Sequence, residues 1–104
     1  MTKKEIADSL KRDCYKRISK DQFCRTFHND MRVVFEASNR QDTLNQNELL
    51  DWFWQKFFML VRVKYDIELV GSENPYYFLA KRIQQPAEEK ESILNSKNWL
   101  KIPG

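Results

Sequence analysis

The sequence predicts an all-α fold, a compact bundle of four to five helices around a long, mostly buried central helix at about 47–69. Three observations predict it. Apolar residues recur at three- and four-residue spacing over much of the chain, which is the period of a helix face. Only two glycines occur in 104 residues, Gly71 and Gly104, and all three prolines lie in the last third. A β-rich fold draws on more glycine for its turns. Finally, Leu49–Val70 is apolar nearly all round, with a narrow polar stripe of Glu48, Asp51, Gln55, Arg62 and Asp66 at helical spacing. Such a helix is usually central and buried.

The elements follow in order. Thr2-Lys3-Lys4-Glu5 reads as a capping box, a hydroxyl followed three residues later by a carboxylate. Ile6, Leu10, Cys14 and Ile18 then recur every four residues, predicting a first helix over 3–18. Ser19-Lys20-Asp21-Gln22 repeats the box and restarts the chain. Phe23, Phe27, Met31, Val34 and Phe35 carry the second helix to about 37. With no Gly or Pro between them, these two helices could equally be one bent helix. The polar stretch 38–45 is the longest internal loop, and Asn45 with Glu48 caps the central helix.

Within that helix, 61–69 alternates apolar and polar residues, the period of a half-buried strand. A strand needs a partner, and Trp99-Leu100-Lys101-Ile102 is the one candidate, so the helical reading is kept. It pairs Arg62 with Asp66 and Lys64 with Glu68 at four-residue spacing. Gly71 supplies a left-handed stop. Asn74-Pro75 starts a fourth helix through Tyr76, Tyr77, Phe78, Leu79 and Ile83. Pro86 with Ala87-Glu88-Glu89 starts a fifth, its acids in the first turn. Trp99, Leu100 and Ile102 pack the tail back onto the bundle.

Length and composition suit one domain, 1–104, with 41% hydrophobic and 32% charged residues, neither disordered nor membranous. The N-terminal residues lack an apolar signal region, and two cysteines make no disulfide framework, so a cytoplasmic protein with reduced thiols is expected. The apolar segment around Trp52 is interrupted by Asp51, Gln55 and Lys56, too often for a membrane span. A formal charge of +3 is uneven, because residues 1–32 hold nine Lys/Arg against five Asp/Glu and the rest is nearly balanced.

Catalytic signatures are missing from the pattern. Phosphate cradles need glycine-rich loops, and there is one internal glycine. Cys24 and His28 resemble half a zinc site, but Cys14 is the only other soft ligand and no second His exists. No metal, cofactor or enzymatic activity is therefore expected. Lys11, Arg12, Lys16, Arg17 and Lys20 cluster on or beside one row of the first helix and are the candidate nucleic-acid-binding residues. Asp8 and Asp13 interrupt that patch, and Asp8 can pair with Arg12. Trp52 and Trp54 point in different directions, so one of them is a candidate anchor for a protein partner.

The first functional expectation is a non-enzymatic interaction protein, an inhibitor, adaptor or small subunit docking on a larger partner. The basic N-terminal third tilts that partner towards nucleic-acid handling. Abundant Lys, Asn, Ile, Phe and Tyr suit an AT-rich gene of phage or plasmid context. The alternative is a helical module contacting DNA or RNA directly through its basic face. A second alternative is an immunity or antidote protein, and an exposed apolar face would serve a homodimer equally well.

Overall fold

The computed structural model of the protein describes residues 2–71 and 73–95. They form five helices and a three-stranded antiparallel sheet, so the all-α bundle is overturned. The order is α1 (Lys3–Ser9), β1 (Lys16–Ser19), α2 (Lys20–Thr26), α3 (His28–Ser38), α4 (Gln46–Tyr65), β2 (Ile67–Val70), β3 (Tyr77–Arg82) and α5 (Ala87–Asn95). Spatially the strands run β1-β3-β2, with β3 in the centre.

The first helix is less than half its expected length. The Thr2–Glu5 capping box is present, with Thr2 Oγ1 accepting from the Glu5 N–H at 3.1 Å. At the other end the Ser9 hydroxyl bonds back to the Ile6 carbonyl at 2.7 Å, competing with helix propagation. The Leu10 N–H tightens onto Ala7 O, and Leu10 itself turns extended. Ile6 and Leu10 are buried, whereas Cys14 is exposed. The four-residue recurrence through Cys14 and Ile18 was therefore a coincidence of spacing. Ile18 reaches the core from a strand, opposite Phe78 in the register.

Ser19 closes β1 and caps α2, its hydroxyl accepting from the Gln22 N–H at 3.3 Å. The expected second helix is broken at Phe27, which separates α2 from α3. Asn45 and Glu48 form the expected box at the start of α4.

The central helix ends at Tyr65, short of 69. Asp66 takes a left-handed conformation (φ 57°) and bonds back to Arg62 O, and the chain leaves as a strand. The missing partner for the alternating segment is 77–82, the stretch expected to be a fourth helix. Leu69 lies opposite Ala80 and Val70 opposite Leu79. Asn74 does not cap a helix. Its side-chain oxygen accepts from the N–H groups of Tyr76 and Tyr77, shaping the turn between the two strands. Gly71 is left-handed (φ 90°) as expected, but it starts this hairpin connection. The expected helical ion pairs are replaced as well: Lys64 meets Asp30, Glu68 meets Lys81, and Asp66 meets Lys90. The fifth helix starts after Pro86 as expected. The tail residues Trp99, Leu100 and Ile102 lie outside the described residues.

The helices pack one face of the sheet. Phe23, Phe27, Phe57 and Phe78 are fully buried and draw α2, α4 and β3 together. Phe23 stacks on Phe27 at 4.2 Å between centroids and meets the edge of Phe78 at 5.6 Å. Edge-to-face and offset contacts of this kind add to the burial of large rings.

Candidate functional site

Period-two alternation sorts the sheet into two faces. Ile18, Ile67, Leu69, Phe78 and Ala80 point into the core and are buried. The opposite face carries Arg17 and Ser19 from β1, Tyr77, Leu79 and Lys81 from β3, and Glu68 and Val70 from β2. Each of these keeps some exposure to solvent.

The register places Arg17, Leu79 and Val70 in one row across this face, and Lys81 beside Glu68 in the next. Tyr15, just before β1, lies under the Lys81 ammonium, 4.7 Å from its ring centre. Its hydroxyl donates to Glu68 at 2.9 Å, and Lys81 is 3.5 Å from the same carboxylate oxygen. At the other end Arg17 lies over the Tyr77 ring at 4.9 Å. Among the described residues no ion-pair partner neutralises Arg17. The result is a sheet surface with two tyrosine rings, each beside a cation. They lie on neighbouring strands, offset by four residues or about 14 Å along the strand direction at roughly 3.4 Å per residue. Chemically, such a surface can stack planar rings, and it attracts negative charge at Arg17, since Glu68 offsets Lys81.

The five basic residues expected on one helical face are dispersed, because the segment is loop and strand. Lys11 and Lys16 are exposed beside Tyr15, around a hollow with Ser9 and Cys14. Arg17 joins the open sheet face. Arg12 turns towards the end of the sheet and donates to Gln84 Oε1 at 3.3 Å. Lys20 is half-buried on the helix side, its ammonium over the rings of Trp54 and Phe78. Asp8 pairs with Arg82 in place of Arg12.

Trp52 is 6% exposed, and its indole N–H has no hydrogen-bond partner among the described residues. Trp54 is half-buried among Phe53, Phe57, Phe58 and Phe78. Large apolar side chains surface elsewhere. Phe35 and Leu50 are 58% and 56% exposed and flank an apolar groove between α3 and α4, with Leu49 and Phe53 in its wall.

A buried ionic cluster was also missed. Asp30, 3% exposed, accepts from Lys64 at 2.7 Å, Tyr65 Oη at 2.6 Å and Lys3 at 3.2 Å. Burial pushes its carboxyl up, but the hydrogen bonds from Lys64, Tyr65 and Lys3 outweigh that and hold it below the ordinary range. The hydrogen bond to Tyr65, then those to Asp30, raise Lys3 against burial, and Asp30 raises Lys64. With both oxygens occupied by strong donors, this carboxylate ties α1, α3 and α4 together. Cys24 and His28 sit on separate helices, and burial pushes the Cys24 thiol up. Among the described residues no three metal-ligating side chains converge. No described helix is long and apolar enough to cross a membrane.

Tyr15, Tyr77 and Lys81, which the sequence did not single out, complete this candidate surface. Their signal was the alternation in Tyr77–Arg82, where Tyr, Leu and Lys take one face and Phe, Ala and Arg the other. Compared with known proteins, the chain matches no family model, no curated protein and no solved structure.

Proposed function

We propose that the protein binds single-stranded nucleic acid on the open face of its sheet. The observation that carries this reading is the pairing of two tyrosine rings with cations there, Tyr77 with Arg17 and Tyr15 with Lys81. Bases of a single strand stack on aromatic rings or guanidinium planes, and basic groups track the backbone. Lys11, exposed beside Tyr15, adds positive charge next to this face, whereas Lys16 pairs with Ala80 and lies on the other side of β1. Stacking on the rings needs bases that are unpaired and splayed out, so single strands are the expected ligand. Two free cysteines suit a cytoplasmic setting.

The test is an anisotropy titration with labelled single-stranded DNA, duplex DNA and RNA at low and near-physiological salt. Single strands should bind more tightly than duplex, and binding should weaken with salt. Replacing Tyr77 with Ala should cost about 1–3 kcal/mol, the worth of one stacked base. Equal binding to duplex, or Tyr77→Ala without effect, would overturn the proposal.

A second reading is docking on a larger protein, now through Phe35 and Leu50. Their exposure beside an apolar groove supports it, since an amphipathic helix of a partner seats its apolar face in such a groove. Here a partner should persist after nuclease treatment and be lost from the Phe35→Asp/Leu50→Asp variant. Retention by that variant removes the groove from consideration.

A further inference from the structure

The end of the sheet holds a second feature, distinct from its open face. A polar hollow of about 290 Å³ is lined by Arg12, Tyr65, Asp66, Arg82, Gln84 and Gln85. We infer that this hollow is a binding site for a phosphate group, held between the guanidinium groups of Arg12 and Arg82.

Charge points to an anion. Arg12 donates to the neutral Gln84 Oε1 at 3.3 Å, and no carboxylate among the described residues pairs with it. A guanidinium has five N–H donors, so most of its capacity is open. Arg82 donates to Ala7 O at 3.0 Å and pairs with Asp8 at 3.5 Å, an acid that stays largely exposed and so offsets only part of its charge. The carbonyl orients Arg82, and four of its five N–H donors are not used by that bond. Asp66 is the acid on the hollow's own wall, and both its oxygens are taken. Gln85 donates to Oδ1 at 3.0 Å, and Lys90 lies 3.5 Å from Oδ2. Arg12, Arg82 and Lys90 thus face Asp8 and Asp66, a surplus of one positive charge.

The walls are also fixed in place. The Arg82 N–H donates to Lys11 O, and the Ile83 N–H donates to Asp66 O, both at 2.9 Å. The first bond ties the Arg12 loop to the end of β3, and the second ties the end of β3 to the cap of α4. A planar fork on a braced wall matches the oxygens of phosphate better than a flexible ammonium does. A phosphate group with at least three unesterified oxygens is therefore the ligand class. It can arrive as free phosphate or as the terminal phosphate of a strand, and only the latter rests on the function proposed above.

The test is calorimetric titration of the whole chain with inorganic phosphate in a chloride buffer of low ionic strength. Saturable one-to-one binding is expected, with Arg12→Gln raising Kd at least tenfold and Tyr77→Ala leaving it unchanged. Arg12 is exposed and in a loop, so its variant should fold. Arg82→Gln is the second variant, read only alongside its melting curve. An oligonucleotide with a 5′-phosphate is then compared with its 5′-hydroxyl form. Preference for the phosphorylated end, lost in Arg12→Gln, identifies the strand as the source. No preference, with free phosphate still bound, identifies a small ligand. Absence of saturable phosphate binding, or binding indifferent to Arg12→Gln, overturns the site. Loss of oligonucleotide binding alone overturns the sheet-face reading and leaves this one standing.

Discussion

Asp30 shows how a single buried charge is made tolerable. Taking a carboxylate out of water is costly unless charged and hydrogen-bonded partners replace the solvent. Here two ammoniums and a phenol do so. Both lysine side chains remain about two-fifths exposed, so they can return to water if the carboxylate is removed. Asp30→Asn should therefore cost about 2 kcal/mol, near the worth of a charged hydrogen bond, and less than stranding a fully buried ion would.

The pH dependence follows from the directions of the shifts. The native Asp30 carboxyl lies below its ordinary value, so its contribution is present above about pH 4 and fades as pH falls through the native value. Lys3 and Lys64 are raised, so theirs is present below about pH 10.4 and fades as pH rises through the native values. Urea denaturation of wild type and Asp30→Asn across pH should show a gap that is constant between and narrows at both extremes. A gap independent of pH would assign the loss to packing. Trp52 is the opposite case, a buried donor without an acceptor among the described residues. An unmet donor costs about 1–3 kcal/mol, so Trp52→Phe should fall within about 1 kcal/mol of wild type despite the smaller ring. Phe78→Ala, by contrast, should cost about 3–5 kcal/mol. The same denaturation curves compare them.

At the scale of elements, the hairpin of β2 and β3 makes the fold mixed. It depends on the left-handed residues Asp66 and Gly71 and on Asn74. A Cβ at Gly71 would meet nothing closer than 3.9 Å, so space is available, but φ is +90°. Gly71→Ala should thus destabilise by about 1–2 kcal/mol through backbone strain alone. A loss near zero in chemical denaturation would mean the turn relaxes. Ser19 serves two elements at once, ending β1 and capping α2. Ser19→Ala should cost about 1 kcal/mol, as caps do, and should leave Tyr15 and Tyr77 in place.

At the scale of the whole molecule, the described helices cover one face of the sheet and leave the other with alternating rings and charges. A net charge of +3 is modest, so affinity for nucleic acid must come from local placement on that face. With Lys11 and Arg17 near the proposed strand, about two phosphates would be neutralised, for a log–log salt slope of about −1.4. Arg17→Glu should lower the slope's magnitude by about 1 and weaken all sequences alike. An unchanged slope would place the backbone contacts elsewhere.

What the sequence determined by itself is local. The boxes at Thr2 and Asn45, the cap at Ser19, the start after Pro86 and the left-handed Gly71 were all legible, because each rests on side chains within a few residues of the backbone they satisfy. Most of α4 was legible too, since helical periodicity is written along one segment. The sheet was not. Lys16–Ser19 and Ile67–Val70 become strands because Tyr77–Arg82 lies between them, and hydrogen bonds from distant residues carry no local mark. Without that pairing, the four-residue recurrence through Cys14 looked like a helix face and put Lys11 to Lys20 on one row. Only the tertiary structure sent Arg17 to the open face, Arg12 to the end of the sheet and Lys20 against Trp54. Both proposed sites lie where segments far apart in sequence meet, which is why residue spacing alone could name their charges but not their arrangement.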